Sequence, residues 1–85
     1  MNKKKALKKL DKINSQFKNC RFEIIQTTLI SFGFEEHQPS KGSSHFKFTK
    51  GSYIIIVPFK RPVKEIYVKR VITLLEEIIN EEYPE

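Results

Sequence analysis

The chain is poor in the residues that many chemistries need. Cys20 is its one cysteine. No disulfide framework can form within it, and a reducing cytosol is the expected compartment. Asp11 is its one aspartate and lies in a lysine-rich stretch, which argues against a Ser/His/Asp triad. Gly42 and Gly51 stand alone in turn-like surroundings, so no glycine-rich nucleotide loop is present. His37, His45 and Cys20 are the only soft ligands and lack metal-site spacing, so no metal and no other cofactor is expected. No apolar run is long enough to span a bilayer. The Lys-rich start is not expected to head a signal peptide, because Lys8, Lys9, Asp11, Lys12 and Asn14 interrupt any apolar core. These absences predict a soluble cytoplasmic protein with no membrane partner.

What is abundant is positive charge, and it is unevenly placed. The formal net charge is +6 and the pI about 9.6. Residues 1–21 carry eight Lys or Arg against Asp11 alone. Residues 22–40 carry only Glu23, Glu35 and Glu36 as charges. Residues 41–75 again carry eight basic residues, against Glu65, and residues 76–85 hold five Glu. Two basic zones thus flank an acidic one, and a polyanion is the first partner to consider.

A length of 85 residues allows one small domain. From Lys3 to Phe17, Ala6, Leu7, Leu10, Ile13 and Phe17 fall at helical spacing. That spacing predicts an amphipathic helix; a frayed basic tail is the alternative. Phe22, Ile25, Leu29 and Phe32 form one face of a second helix, and Gly33 suits its C-cap. A polar extended stretch from Glu35 to Pro39 follows. Lys41-Gly42-Ser43-Ser44 reads as a turn. His45 to Thr49 alternates polar and apolar with period two, the mark of a half-buried strand. Lys50-Gly51-Ser52 is a hairpin connection, and Tyr53 to Val57 is a β-branched and aromatic strand ended by Pro58. From about Val63 to Glu82, Tyr67, Val71, Leu74, Leu75 and Ile78 make a helical stripe widened by Val68, Ile72 and Ile79. The expected fold class is α+β: α-β-β-β-α with a three-stranded antiparallel sheet, both core helices on one face, and an extra N-terminal helix.

His45 is the informative residue. Strand parity puts His45, Lys47 and Thr49 on one face and Phe46 and Phe48 on the other. The phenylalanines take the core, so the imidazole faces solvent beside a lysine. That is suited to general acid–base work near neutral pH, although a chance surface histidine satisfies the same parity. His37 lies in an acidic stretch with no basic neighbour in sequence and is read as an ordinary surface residue. Lys41, Lys47, Lys50, Lys60, Arg61, Lys64, Lys69 and Arg70 form the second basic zone. Lys60, Arg61 and Lys64 bracket the start of the last helix, where backbone N–H groups and the helix dipole also favour an anion. A solvated basic face is the alternative.

From Arg21 to Ile79 the chain resembles the HicA toxins of bacterial HicA–HicB toxin–antitoxin systems. The resemblance rests on Phe32-Gly33-Phe34 closing a Phe-led helix, on Gly42-Ser43-Ser44-His45 followed by Phe46-Lys47-Phe48, on Ile54-Ile55-Ile56-Val57-Pro58, and on Pro62-Val63-Lys64-Glu65-Ile66-Tyr67-Val68. It implies a double-stranded-RNA-binding-domain-like fold, a metal-independent endoribonuclease that cleaves mRNA, an essential motif histidine (here His45), and a cognate HicB-type antitoxin. It divides the chain into a Lys-rich N-terminal segment, 1–20, and a toxin-like domain, 21–85. The front segment is longer than the family pattern needs. Its apolar stripe therefore serves this domain, a homodimer contact or the antitoxin.

The expected mechanism uses the RNA's own 2′-hydroxyl. His45 takes its proton as general base, and Lys47 with Lys60, Arg61 or Lys64 stabilises charge on the phosphoryl oxygens. The backbone of Gly42, Ser43 and Ser44 holds the phosphate. The donor to the leaving 5′-oxygen is not identified; Tyr53 or a lysine are the candidates. Two rivals stand beside this reading. One is a non-catalytic RNA-binding module of the same fold. The other is a protein-interaction module in which the Lys-rich helix and the apolar Tyr53/Ile55/Val57 edge bind a partner.

Overall fold

Local chemistry sets where each element starts and stops. In the computed structural model, which describes residues 1–84, the order is α1 (Lys3–Ser15), a 3-10 turn (Phe17–Asn19), α2 (Phe22–Ser31), β1 (Glu35–His37), β2 (His45–Lys50), β3 (Tyr53–Pro58) and α3 (Glu65–Glu82). The Asn2 side chain caps α1 by accepting the Lys5 N–H at 2.9 Å. Gly33 ends α2 with φ +97°, while Phe34 N–H donates to Leu29 O and Gly33 N–H to Ile30 O. That is a Schellman closure, and a left-handed glycine is what permits it.

The strands form an antiparallel sheet in the order β1-β2-β3. Period two sorts their side chains as expected. Phe48, Ile55 and Val57 are buried under the helices, and the Phe22 ring of α2 lies 4.9 Å from Phe46 and 6.5 Å from Phe48 between centroids. The core continues through Ile25 and Leu29 of α2 and Val68, Val71, Leu75 and Ile78 of α3. Each such side chain contributes about 1.5–3 kcal/mol by leaving water. The other face of the sheet is uncovered: Ile54 and Ile56 are 63% and 46% exposed.

Three details differ from the sequence reading. The last helix begins at Glu65, not at Val63. Val63 is buried, and its N–H donates to Cys20 O at 2.9 Å, which holds it in the connection ahead of the helix. The stripe of α3 centres on Val68, Val71, Leu75, Ile78 and Ile79, leaving Tyr67, Ile72 and Leu74 half-buried, because α1 covers part of α3 as well. The proposed Tyr53/Ile55/Val57 docking edge does not exist as a free surface. Ile55 and Val57 belong to the core, and the uncovered set is Ile54 and Ile56.

The Lys-rich front is an integral helix. Ala6, Leu10 and Ile13 of α1 are buried in the same core cluster, chiefly against α3 and then α2. Its apolar stripe therefore serves this domain; Leu7 is the member left outside, at 47% exposure. No helix among the described residues is long and apolar enough to cross a membrane.

Candidate functional site

The site is built from the β1–β2 connection outward. Ser43 N–H donates to Ser40 O at 2.9 Å, and Gly42 sits third in that turn with φ +86°. A turn with positive φ at this position is type II, which disfavours any residue with a Cβ. Ser43 then holds the start of β2. Its hydroxyl accepts the His45 backbone N–H at 3.2 Å and lies 3.4 Å from His45 Nδ1. Ser44 O accepts the Phe59 N–H at 2.7 Å, just beyond the His45–Pro58 register pair. Gly42 shapes the turn, Ser43 touches the imidazole, and Ser44 ties the turn to the end of β3.

His45 is exposed and stands on the uncovered face with Lys47 and Thr49. The register fills in the rest of that face. His37 of β1 and Ile56 of β3 lie opposite Lys47; Glu35 and Ile54 lie opposite Thr49. His37, read from sequence as lacking a basic neighbour, therefore has Lys47 as its direct cross-strand partner. Its Nε2 shares a 2.8 Å hydrogen bond with Thr49 Oγ1.

The predicted cations separate into groups. Lys47 is exposed on the open face, Lys60 lies two residues past the strand partner of His45, and Lys64 is the N-cap of α3. None of these three has an ion-pair partner among the described residues. The first turn of α3 adds backbone N–H groups that the helix itself does not use. Arg61 is already committed: its Nη2 donates to Glu23 at 3.1 Å, and its guanidinium sits 5.3 Å from the centroid of Phe59. Lys69 and Arg70 line a separate apolar groove with Ile54, Ile66 and Leu74.

Two residues leave the candidate list. Lys50 belongs to the scaffold: its ammonium donates to Phe32 O at the end of α2 and pairs with Glu82 at 2.8 Å. Tyr53 pairs with Lys50 at the far end of the hairpin. Five residues separate that end from His45, about 17 Å of strand. The Tyr53 hydroxyl donates to the Glu81 carboxylate, which with slight desolvation and the charges of Glu81, Glu77 and Glu82 pushes its pKa up to about 12. A phenol so placed is not the missing proton donor for chemistry at His45. Cys20 is also no nucleophile, since it is buried and burial pushes its thiol pKa up.

Phe59 was missed from sequence. It is 41% exposed, packs edge-on against Phe22 at 5.0 Å, and carries Arg61 on its ring. An aromatic set directly before Lys60-Arg61 was the available signal. No group of three or more His, Cys, Asp or Glu side chains among the described residues is placed to hold a metal ion. No family model matches the chain, and no curated protein or solved structure matches it either.

Proposed function

We propose that this chain is a HicA-type toxin, an endoribonuclease that binds and cleaves mRNA with His45 as general base. The observation that carries the reading is the setting of His45: a solvent-facing imidazole, touched by Ser43, beside Lys47, which has no ion-pair partner among the described residues, on the sheet face opposite the phenylalanine core. The α2–sheet–α3 arrangement supports a double-stranded-RNA-binding-domain-like classification. The partners of this reading are mRNA and a cognate HicB-type antitoxin that covers the open face.

In the proposed step His45 removes the 2′-hydroxyl proton, and the oxygen attacks the adjacent phosphorus. Lys47 and Lys60 stabilise the growing phosphoryl charge, with Gly42, Ser43 and Ser44 cradling the backbone. RNA brings its own nucleophile, so the step calls on no metal. Phe59 with its Arg61 partner offers a flat surface for an unstacked base, worth about 1–3 kcal/mol by stacking.

Purified protein incubated with an end-labelled transcript tests the proposal. Wild type is expected to leave fragments, and His45→Ala to leave the transcript intact while still binding it. Full activity in His45→Ala rejects the assignment. RNA carrying a 2′-deoxy sugar at the cut site is expected to bind and survive. The Phe59–Arg61 surface equally suits a non-catalytic RNA-binding module. That second reading prevails if wild type binds the transcript and never cuts it.

A further inference from the structure

We infer that His37 is the second proton-transfer group of the site, the donor to the departing 5′-oxygen; the inference rests on the ribonuclease reading above. On the open face, positions 43, 45, 47 and 49 follow one another along the chain into and through β2, and His37 stands opposite position 47. His37 and His45 are therefore a diagonal cross-strand pair, about 7–8 Å apart at the backbone. Lys47 lies between them, opposite one and two residues from the other.

Each imidazole has a hydroxyl on its outer side. Ser43 Oγ lies 3.4 Å from His45 Nδ1, and Thr49 Oγ1 bonds His37 Nε2 at 2.8 Å. Ser43 precedes His45, and Thr49 follows Lys47, so each hydroxyl lies away from the gap between the rings. His45 Nε2 and His37 Nδ1 are the nitrogens left for substrate. A phosphoryl group seated over Lys47, with one hydrogen bond of about 2.8 Å to each side, bridges such a gap.

The chemistry balances with these groups alone. Neutral His45 accepts the 2′-hydroxyl proton as the O2′–P bond forms. Cationic His37 gives its proton to O5′ as the P–O5′ bond breaks. The products are a 2′,3′-cyclic phosphate and a 5′-hydroxyl end, and the two imidazoles exchange protonation states and reset through water. Lys47 holds the non-bridging oxygens between them. No other imidazole, and no tyrosine, shares this end of the open face among the described residues.

The test compares two substrates at one cleavage site: ordinary RNA, and RNA whose scissile 5′-oxygen is replaced by sulfur. A departing thiolate needs no proton. His37→Gln, which can keep a hydrogen bond to Thr49, is expected to cut ordinary RNA about 10²-fold or more slowly. On the sulfur substrate it is expected within a few-fold of wild type. His45→Ala is expected to stay slow on both. His37→Ala, with its melting temperature and RNA affinity measured, provides a second variant should glutamine disturb the strand. A wild-type rate for both His37 variants on ordinary RNA overturns the inference, as does an equal deficit on both substrates; in each case His45 stays essential and the ribonuclease reading survives. Failure of wild type to cut either substrate sinks that reading itself, and this inference with it.

Discussion

The two ends of the β2–β3 hairpin use the same kinds of residue for opposite purposes. At the Gly51 end, Lys50 and Tyr53 are tied to the helices. Lys50 holds the carbonyl of Phe32, the C-cap of α2, and Glu82 of α3, and Tyr53 holds Glu81. At the His45 end, Lys47, Lys60 and Lys64 have no carboxylate partner among the described residues, and His45 has the Ser43 hydroxyl beside it. Glu82 neutralises Lys50 at the first end, while among the described residues no carboxylate pairs with Lys47, Lys60 or Lys64 at the second. A basic chain thereby becomes a domain with one closed end and one end that is short of anions.

The largest expected effect sharpens this contrast. His45→Ala should lower RNA cleavage by about 10²–10⁴-fold while the thermal melting curve stays within experimental error. A matching fall in melting temperature would mean that His45 belongs to the scaffold after all. Next comes Lys50→Met, which keeps the apolar stem but removes the ammonium. It strands a helix-end carbonyl and Glu82, at a cost of about 1–3 kcal/mol in chemical unfolding, with RNA affinity unchanged. Smaller still is Lys47→Ala. Stability should not move, but RNA affinity should drop and the slope of log affinity against log salt should fall by about 0.7–1. If Lys47→Ala unfolds the protein and Lys50→Met releases RNA, the assignment of the two ends is inverted.

Much of the layout is legible in the residues because period and punctuation agree. Phe22, Ile25, Leu29 and Phe32 repeat at helical spacing up to Gly33, and the structure closes α2 there. Phe46 and Phe48 alternate with His45 and Lys47, and that parity alone places His45 on the solvent face. Long-range register is not legible. The seven residues from Gln38 to Ser44 fix which residue of β1 faces Lys47, and a shift of one would have turned His37 into the helix layer. The ion pairs of Lys50 and Arg61 are hidden for a similar reason, since Glu82 and Glu23 are distant in sequence and meet them only in the folded chain. Charge zones therefore predicted a polyanion partner but could not separate Lys47 from Lys50.

The smallest predicted effect concerns pH at the closed end. The Tyr53 phenol has its pKa raised from 10.0 to about 12, first because its hydroxyl donates to the Glu81 carboxylate. A raised value means that folding favours the protonated phenol. Its stabilising contribution is complete below pH 10 and is lost as pH climbs from 10 to 12. Because the phenol is exposed, solvent screens the contact and the change in stability is small. The ionisation itself is easier to see. Ultraviolet titration of the folded protein should contain a component near pH 12 that Tyr53→Phe removes. An unchanged late component in that variant would show that Tyr53 and Glu81 are not held together in solution. With the contact present, this phenol does not titrate below pH 10, so it is not the source of any change in cleavage rate across neutral pH.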